Sequence, residues 1–269
     1  MATDANTTHA HAAYDRDGFY IHADPLLDTE VIERASAGMD SLRAGVYDTG
    51  TPPQPSPWNP GDPEEQFCKI EFPQIASHAI MDLVSQPEIG RVAAEITGAD
   101  MVQVWWVQLL GKPATRPGDD AATRVGWHQD RQYWGSWEPD AELLTAWVAV
   151  SDVTADSGPM RFVDGSHRWG LSGRGDFYGQ DNDALKDEIG APDGEVWSET
   201  VAVLPPGGAS FHDCQTFHAS GTNGSGVMRR SFAIHMRTNR AEPKDGLRQG
   251  LTQFIDDPSR CPVIFGSLA

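Results

Sequence analysis

The tetrapeptide Trp127-His128-Gln129-Asp130 has the residue types of a small metal site. On a β-strand, His128 and Asp130 at positions i and i+2 leave the same face, so their side chains could bind one metal ion. A third ligand must come from elsewhere, and His218 is the best candidate because it ends a short predicted strand before a Gly-rich turn. Two histidines and one carboxylate on one side of a metal leave three positions open, which is typical of non-haem Fe(II) oxygenases.

A second chemical feature lies eleven residues after His218. Arg229 belongs to an alternating segment in which Ser231, Ala233 and His235 share its face of a predicted strand. An arginine that points into a β core needs an anion, and a carboxylate matches its planar fork best. One interpretation is an ion pair with a buried Asp or Glu. The other, favoured by the adjacent triad, is a metal-chelating dicarboxylate cosubstrate.

Several longer segments carry a family resemblance. They are VQVWWVQLLGKP, WHQDRQYW, LLTAWVAVSDVTADSGPMRFVDGSHRWG and FHASGTNGSGVMRRSFAIHM, preceded by YDRDGFYIHADPLLDTEVIERA. In order and spacing they resemble the phytanoyl-CoA dioxygenase family of Fe(II)- and 2-oxoglutarate-dependent oxygenases, over most of residues 14–240. The resemblance implies that His128, Asp130 and His218 bind iron and that Arg229 forms a salt bridge with the distal carboxylate of 2-oxoglutarate. Three further positions match the cosubstrate pocket of the family: Ser220, Gln108 and Trp147.

The resemblance also implies a reaction. Such enzymes take Fe(II), 2-oxoglutarate and O2, release succinate and CO2, and hydroxylate or otherwise oxidise an unactivated C–H bond of a small organic molecule. Relatives that halogenate carry Ala or Gly in place of the metal carboxylate, so Asp130 argues against halogenation. The small-molecule substrate is expected from secondary metabolism or small-molecule catabolism.

Four residues after the metal motif are candidates for the substrate pocket: Arg131, Tyr133, Trp134 and Trp137. An aromatic wall would suit a small apolar, aromatic or cationic ligand. The alternative for Trp134 and Trp137 is core packing. The Pro-rich loop from Thr51 to Phe67 is placed to act as a lid. An acyl-CoA substrate is not expected, because no Lys/Arg cluster is available to hold a nucleotide.

Two other classes of function compete with this interpretation. One is a non-catalytic cupin or jelly-roll protein that binds a small ligand, and the other is a cupin-type metalloenzyme that does not use 2-oxoglutarate. A zinc site formed by His212, Cys214 and His218 is disfavoured, because on one strand these residues span about 20 Å. Only a sharp turn of the chain could bring them to one ion.

The elements that must position these residues change in character along the chain. Residues 1–12 are predicted to be a disordered tail, and residues 13–269 a single domain with helices over Asp28–Arg43 and residues 79–97. From Met101 to about residue 240, short Val-, Trp- and Phe-rich runs between turn clusters predict an antiparallel sandwich, jelly roll or barrel. Residues 170–198 are predicted to be an insertion. The fold class is mainly β (α+β), and the family resemblance makes the core a cupin-like double-stranded β-helix with N-terminal helices packed on it.

Composition excludes several classes of partner. The 269 residues carry a formal net charge of −19, which disfavours nucleic acid and anionic membrane surfaces as partners. No apolar stretch approaches the roughly 18 residues that cross a bilayer, and the opening residues do not resemble a secretory signal. Three widely spaced cysteines favour reduced thiols and a cytoplasmic location. The expected assembly is a monomer or a homodimer.

Overall fold

Two antiparallel β-sheets make up the centre of the molecule, and helices cover the outer face of the larger sheet. The computed structural model describes residues 4–22, 24–115 and 123–268. The helices are α1 (Asp4–Asp17), α2 (Thr29–Arg43), α3 (His78–Val84), α4 (Pro87–Thr97) and α5 (Asn182–Ile189). The strands are β1 (Phe19–His22), β2 (Cys68–Glu71), β3 (Val102–Lys112), β4 (Val125–His128), β5 (Leu143–Ala149), β6 (Met160–Val163), β7 (Glu199–Ala202), β8 (Ala209–Asp213), β9 (His218–Ser220), β10 (Arg229–Thr238) and β11 (Val263–Phe265).

The sheet order confirms the predicted β core. The larger sheet has the order β1-β8-β5-β10-β3-β11, with β2 also paired to β3, and the smaller has the order β4-β9-β6-β7. Every pair of neighbouring strands is antiparallel. Two antiparallel sheets in this order form the jelly-roll architecture of a double-stranded β-helix.

Alternation along β10 separates the two faces of the larger sheet. Phe232 and Ile234 point outward and belong to an apolar cluster with α2, α3 and α4. Ala233 points inward and belongs to a second cluster, which joins the two sheets through residues such as Phe162 of β6. Because side chains alternate with a period of two, the remaining odd-numbered residues of β10 share the inward face with Ala233.

The helices differ from the sequence prediction at one place. Helix α2 begins after Asp28, as predicted, and α4 ends at Gly98, whose φ of 68° suits glycine. The single helix predicted over residues 79–97 is two helices, α3 and α4. The break precedes Pro87, which lacks an N–H and disfavours helical backbone in the residue before it. No helix in the described part of the chain is long and apolar enough to cross a bilayer.

The N-terminal segment is also more ordered than its composition predicts. A helix covers Asp4–Asp17 where disorder was expected to residue 12, and residues 1–3 lie outside the described residues. Tertiary contacts account for the difference: Ala10 is buried, and His11 Nδ1 lies 2.7 Å from the carbonyl oxygen of Ile96 in α4. Strand β1 therefore begins only at Phe19, directly after α1 and Gly18.

The segment predicted as an insertion at residues 170–198 contains α5 and packs along β4. The amide of Asp176 donates to Trp127 O over 3.0 Å, and the amide of Gly126 donates to Phe177 O over 3.1 Å. Gly126 is required at this contact, because a Cβ there would lie 2.2 Å from Asp176 O. The insertion is thereby fixed next to the strand that carries the metal motif.

Candidate functional site

Three predicted ligands meet between the two sheets. His128 ends β4, His218 begins β9, and the two residues are paired across the ladder. Asp130 lies beyond the strand, as the first residue of a short 3-10 helix, so it does not occupy a strand position as predicted. Its Oδ1 is 3.7 Å from Nε2 of each histidine. One ligand atom from each residue lies within 4.8 Å of the others, and all three residues are buried.

Both imidazoles are oriented by hydrogen bonds on their far ring nitrogens. His128 Nδ1 lies 2.8 Å from Gly126 O, and His218 Nδ1 lies 2.9 Å from Thr216 O. A carbonyl oxygen only accepts, so each Nδ1 carries a proton and each Nε2 presents a lone pair. Burial, assisted by the imidazoles of His128 and His212, lowers the pKa of His218 well below its usual value. This ring is therefore in the neutral form that binds metals.

The carboxylate is held on its opposite oxygen. Asp130 Oδ2 accepts a hydrogen bond from Thr145 Oγ1 over 2.9 Å and lies 3.2 Å from His212 Nε2. Burial raises the pKa of Asp130, but the imidazoles of His218, His128 and His212 outweigh burial and hold this pKa well below its usual value. Asp130 is therefore ionised, with Oδ1 free to face the histidines.

These donors fit iron. Two neutral imidazoles and one carboxylate converge from one side, each held by a second interaction on its far atom, which is the usual support of a metal ligand. The alternative zinc site does not form, because Cys214 lies outside this cluster with its amide bonded to Leu143 O over 3.1 Å. His212 instead contacts the carboxylate of Asp130.

Two buried cations lie beside the triad. Arg229 and Lys112 face each other across β10 and β3 and are 2% and 0% exposed. The guanidinium donates to Gly158 O and lies 4.9 Å from the ring centroid of Trp147, while its Nε has no hydrogen-bond partner among the described residues. Lys112 Nζ donates to Ser220 Oγ over 2.8 Å and to a backbone carbonyl.

Neither cation has an anionic partner in the described part of the chain. Burial lowers the pKa of Arg229 to about 9, and burial with the adjacent guanidinium lowers the pKa of Lys112 well below its usual value. Burial and mutual repulsion disfavour the charges of both groups, so an external anion beside them would be stabilising. The alternative that Arg229 pairs with a buried Asp or Glu is wrong for the described residues.

The structure places the other cosubstrate candidates in the same small cavity. Ser220 and Trp147 line it with Arg229, and Gln108 lies between it and a larger neighbouring cavity. Gln108 and Trp147 share a register row, because both pair with Ala233.

The larger cavity, of about 340 Å³, opens beside Asp130 and has a mainly aromatic wall. Its aromatic lining is Trp105, Trp106, Tyr133, Trp134, Phe177 and Tyr178. Its polar lining includes Glu71, whose carboxylate accepts from Trp106 Nε1 over 2.6 Å and lies 3.3 Å from Lys69 Nζ. Lys69 also lies over the ring of Phe177 at 4.2 Å, so Lys69 and Glu71 are already paired.

Two of the four substrate candidates do not reach this cavity. Tyr133 and Trp134 line it, but Arg131 turns away and donates to the carbonyl oxygens of Trp134 and Glu138. Trp137 is 1% exposed and packs edge-on against Trp105. Arg131 thus stabilises the loop that follows it through hydrogen bonds to backbone carbonyl oxygens. Trp137 packs in the core, which was the alternative considered for it.

Sequence reasoning missed several residues of the site: Lys69, Glu71, Lys112, Thr145 and Phe177. It considered His212 only as a zinc ligand and did not place it beside Asp130. Lys112 had a signal, because it ends an alternating run in which Gln108 and Leu110 share its face. Thr145 and His212 become neighbours of Asp130 through cross-strand register, which the sequence does not reveal. Phe177 comes from the insertion and reaches the ring of His128 at a centroid distance of 5.1 Å.

Comparisons with known proteins agree with this geometry. The phytanoyl-CoA dioxygenase (PhyH) family model matches residues 14–231. An ectoine dioxygenase of Bordetella parapertussis is 27% identical, over 87% of this chain and 77% of its own. An ectoine dioxygenase of Sphingopyxis alaskensis is 25% identical, over 91% of this chain and 80% of its own.

Solved structures share the fold. The epimerase SnoN in complex with Fe3+, α-ketoglutarate and nogalamycin RO superposes with a TM-score of 0.70 at 23% identity, covering 94% of this chain and 90% of its own. The apoform of EctD from S. alaskensis gives a TM-score of 0.65 at 19% identity, covering 91% and 81%.

The family match covers most of the chain and includes every residue of the triad and Arg229. The His-Asp-His cluster and the adjacent cationic cavity provide the donor atoms and counter-charges that iron and a dicarboxylate need. The protein is an Fe(II)- and 2-oxoglutarate-dependent dioxygenase, and it belongs to the phytanoyl-CoA dioxygenase family.

Proposed function

We propose that His128, Asp130 and His218 bind the iron, and that Arg229 and Lys112 bind the distal carboxylate of 2-oxoglutarate. Iron, when bound, supplies the oxygen chemistry. The chain supplies orientation, because each ligand is held on its far atom, and it excludes water from a site enclosed by the two sheets. Ser220, bonded to Lys112 Nζ, lies close enough to assist at the same carboxylate.

One observation carries this assignment: Arg229, buried and without an anionic partner in the described chain, lines the same cavity as the triad. Lys112, which also has no such partner, pairs with Arg229 across the strands and donates to Ser220 of that cavity. A dicarboxylate would neutralise them at one end while its other end faces the metal ligands. If an Asp or Glu of the chain were paired with these basic groups, they would not need an anion from a ligand. Trp147 and Gln108 would then bound the sides of the cosubstrate.

The substrate site we propose is the aromatic cavity beside Asp130. A small organic molecule there would have a C–H bond hydroxylated, or otherwise oxidised, with succinate and CO2 as coproducts. Tyr133, Trp134 and Phe177 offer flat apolar surface. The loop over Thr51–Phe67 would act as a lid, since Phe67 lines the cosubstrate cavity. The relatives named ectoine dioxygenases also support a small solute as substrate.

An anaerobic titration tests the proposal. The metal-free protein is titrated with Fe(II) and then with 2-oxoglutarate, and the visible charge-transfer band of iron-bound 2-oxoglutarate is recorded. Arg229→Gln should bind iron normally but need at least tenfold more 2-oxoglutarate to develop the band. Arg230→Gln is the matched control, because this neighbour points to the outer face and pairs with Asp40.

Each alternative predicts a different failure. Iron binding without the band would favour a cupin-type metalloenzyme that does not use 2-oxoglutarate. No iron binding at all would favour a non-catalytic ligand-binding protein. A normal band in Arg229→Gln would place the distal carboxylate elsewhere.

We also infer a cytoplasmic location, supported by three buried free cysteines. For the assembly, we still predict a monomer or a homodimer. Light scattering of the purified protein would decide between them.

A further inference from the structure

His235 is a buried histidine that the proposed ligand set does not use. It points inward from β10, lines both cavities and is 3% exposed. Its ring lies between two indoles, at centroid distances of 5.5 Å from Trp105 and 4.9 Å from Trp134. Its Nδ1 is 2.8 Å from Thr145 Oγ1. Packing and this one hydrogen bond fix the ring in a single orientation.

The hydrogen bonds around Thr145 determine which nitrogen of His235 carries the proton. Ionised Asp130 can only accept, so the 2.9 Å contact uses the single hydroxyl proton of Thr145. Thr145 Oγ1 must then accept its second hydrogen bond from His235 Nδ1–H. Burial lowers the pKa of His235 to about 4, so the ring is neutral. A neutral ring with its proton on Nδ1 leaves a bare lone pair on Nε2.

No described residue forms a hydrogen bond with this Nε2. The charged side chains Glu71 and Lys69 of the cavity are already paired, because Glu71 accepts from Trp106 and lies within ion-pair distance of Lys69. A buried acceptor that loses water without gaining a donor is unfavourable. A ligand that fills the cavity must therefore either supply a donor to His235 or leave its Nε2 unsatisfied.

We propose that His235 Nε2 orients the substrate, and that the substrate carries an O–H or N–H donor which this atom binds. The inference rests on the proposed function, since it takes the aromatic cavity as the substrate site. Because Thr145 joins His235 to Asp130, the donor group lies on the part of the substrate closest to the metal ligands. An analogue in which a methyl group replaces that hydrogen should bind more weakly.

Nitrogen NMR on histidine-labelled protein tests the tautomer directly. The protein is loaded with Zn(II), which is diamagnetic, and His235 is assigned from the signal lost in His235→Gln. We expect a protonated Nδ1 and a bare Nε2. Thr145→Val should remove this preference, while Thr145→Ser, which keeps the hydroxyl, should retain it. A proton on Nε2 of the unaltered protein would overturn the proposal without requiring any variant to fold.

Binding of matched probes tests the recognition. Phenol and anisole, and cyclohexanol and methoxycyclohexane, differ by methylation of the donor oxygen. With Zn(II) and 2-oxoglutarate bound, the protein should prefer the hydroxyl member of each pair about tenfold, by ligand-detected NMR. His235→Phe should reduce the preference to within about twofold, and His78→Gln, on the exposed start of α3, should leave it unchanged.

The outcomes separate the two proposals. Equal binding of both members, or a preference that survives in His235→Phe, contradicts the role of His235 even when the iron–2-oxoglutarate band is normal. Absence of that band with a donor preference intact contradicts the proposed function alone.

Discussion

Each proposed iron ligand has a second interaction that fixes its direction. The two histidines use backbone carbonyls of their own strands, and Asp130 uses Thr145 and His212. Such second interactions hold the ligands of a metal site in the direction that binding requires.

Removing one ligand should therefore abolish iron binding instead of shifting it to a neighbour. We expect His128→Ala and Asp130→Ala to lose both Fe(II) binding and succinate production, because two ligands cannot hold the ion in an open site. Equilibrium dialysis with Fe(II) under argon measures the loss. His78→Ala, far from the site, serves as the control, and full activity in either variant would refute the ligand assignment.

We expect Lys112 to destabilise the ligand-free fold and to strengthen the binding of 2-oxoglutarate. Its buried ammonium lies beside a second cation, so Lys112→Met should raise the melting temperature of the ligand-free protein. The same variant should raise the KM for 2-oxoglutarate about tenfold to a hundredfold, since one charge-assisted hydrogen bond is lost. Iron affinity should not change. An unchanged KM would show that the carboxylate does not reach Lys112.

At the scale of elements, the pairing register of the strands determines which functional side chains become neighbours. His212, Thr145 and His235 come from β8, β5 and β10 and form one row across the larger sheet. Arg229 and Lys112 form another row, six residues away along β10. The insertion at residues 170–198 contributes Phe177 to the aromatic wall of the cavity. Phe177 reaches this wall only while residues 175–179 lie along β4.

Gly126→Ala tests this contact between elements. The new Cβ would meet Asp176 O at 2.2 Å, so the insertion must shift and Phe177 must leave the cavity wall. We expect a loss of about 1–3 kcal/mol in the free energy of unfolding and a higher KM for the prime substrate. The 2-oxoglutarate-dependent band should persist. Gly135→Ala, where a Cβ would meet no atom within 4 Å, is the matched control.

The whole molecule combines an acidic chain with a cationic interior. The formal net charge is −19, yet a buried arginine lines the cosubstrate cavity and a buried lysine lies next to it on the neighbouring strand. Net charge thus describes possible partners of the surface, whereas the charge inside the cavity determines which ligand binds there.

Ligand binding should stabilise the whole fold, because the site joins strands of both sheets. Iron and then 2-oxoglutarate, each at about a hundredfold its Kd, should each add about 2.7 kcal/mol under argon. That predicts a rise of several degrees in melting temperature at each addition. Arg229→Gln should keep the step for iron and lose the step for 2-oxoglutarate. Two full steps in that variant would contradict the proposed salt bridge.

Local sequence determined much of this protein. The two-residue spacing of His128 and Asp130, the alternation around Arg229 and the short β runs are patterns within a few residues, so local sequence predicts two candidate ligands, an inward arginine and a β core. The third ligand, His218, lies 88 residues after Asp130, and the family resemblance implied its role. Helix α2 was predictable for the same reason. Helix α1 was not predictable in this way, because it is held by contacts with α4, far away in sequence.

The tertiary structure decided everything that depends on which strands become neighbours. Lys112 meets Arg229, Thr145 links His235 to Asp130, and Phe177 reaches His128 only through pairing between distant segments. Arg131 and Trp137 look equivalent to Tyr133 and Trp134 in the sequence, yet only the fold turns the first two away from the cavity. Side-chain direction outside regular strands follows from packing and hydrogen bonding, and local periodicity does not encode it.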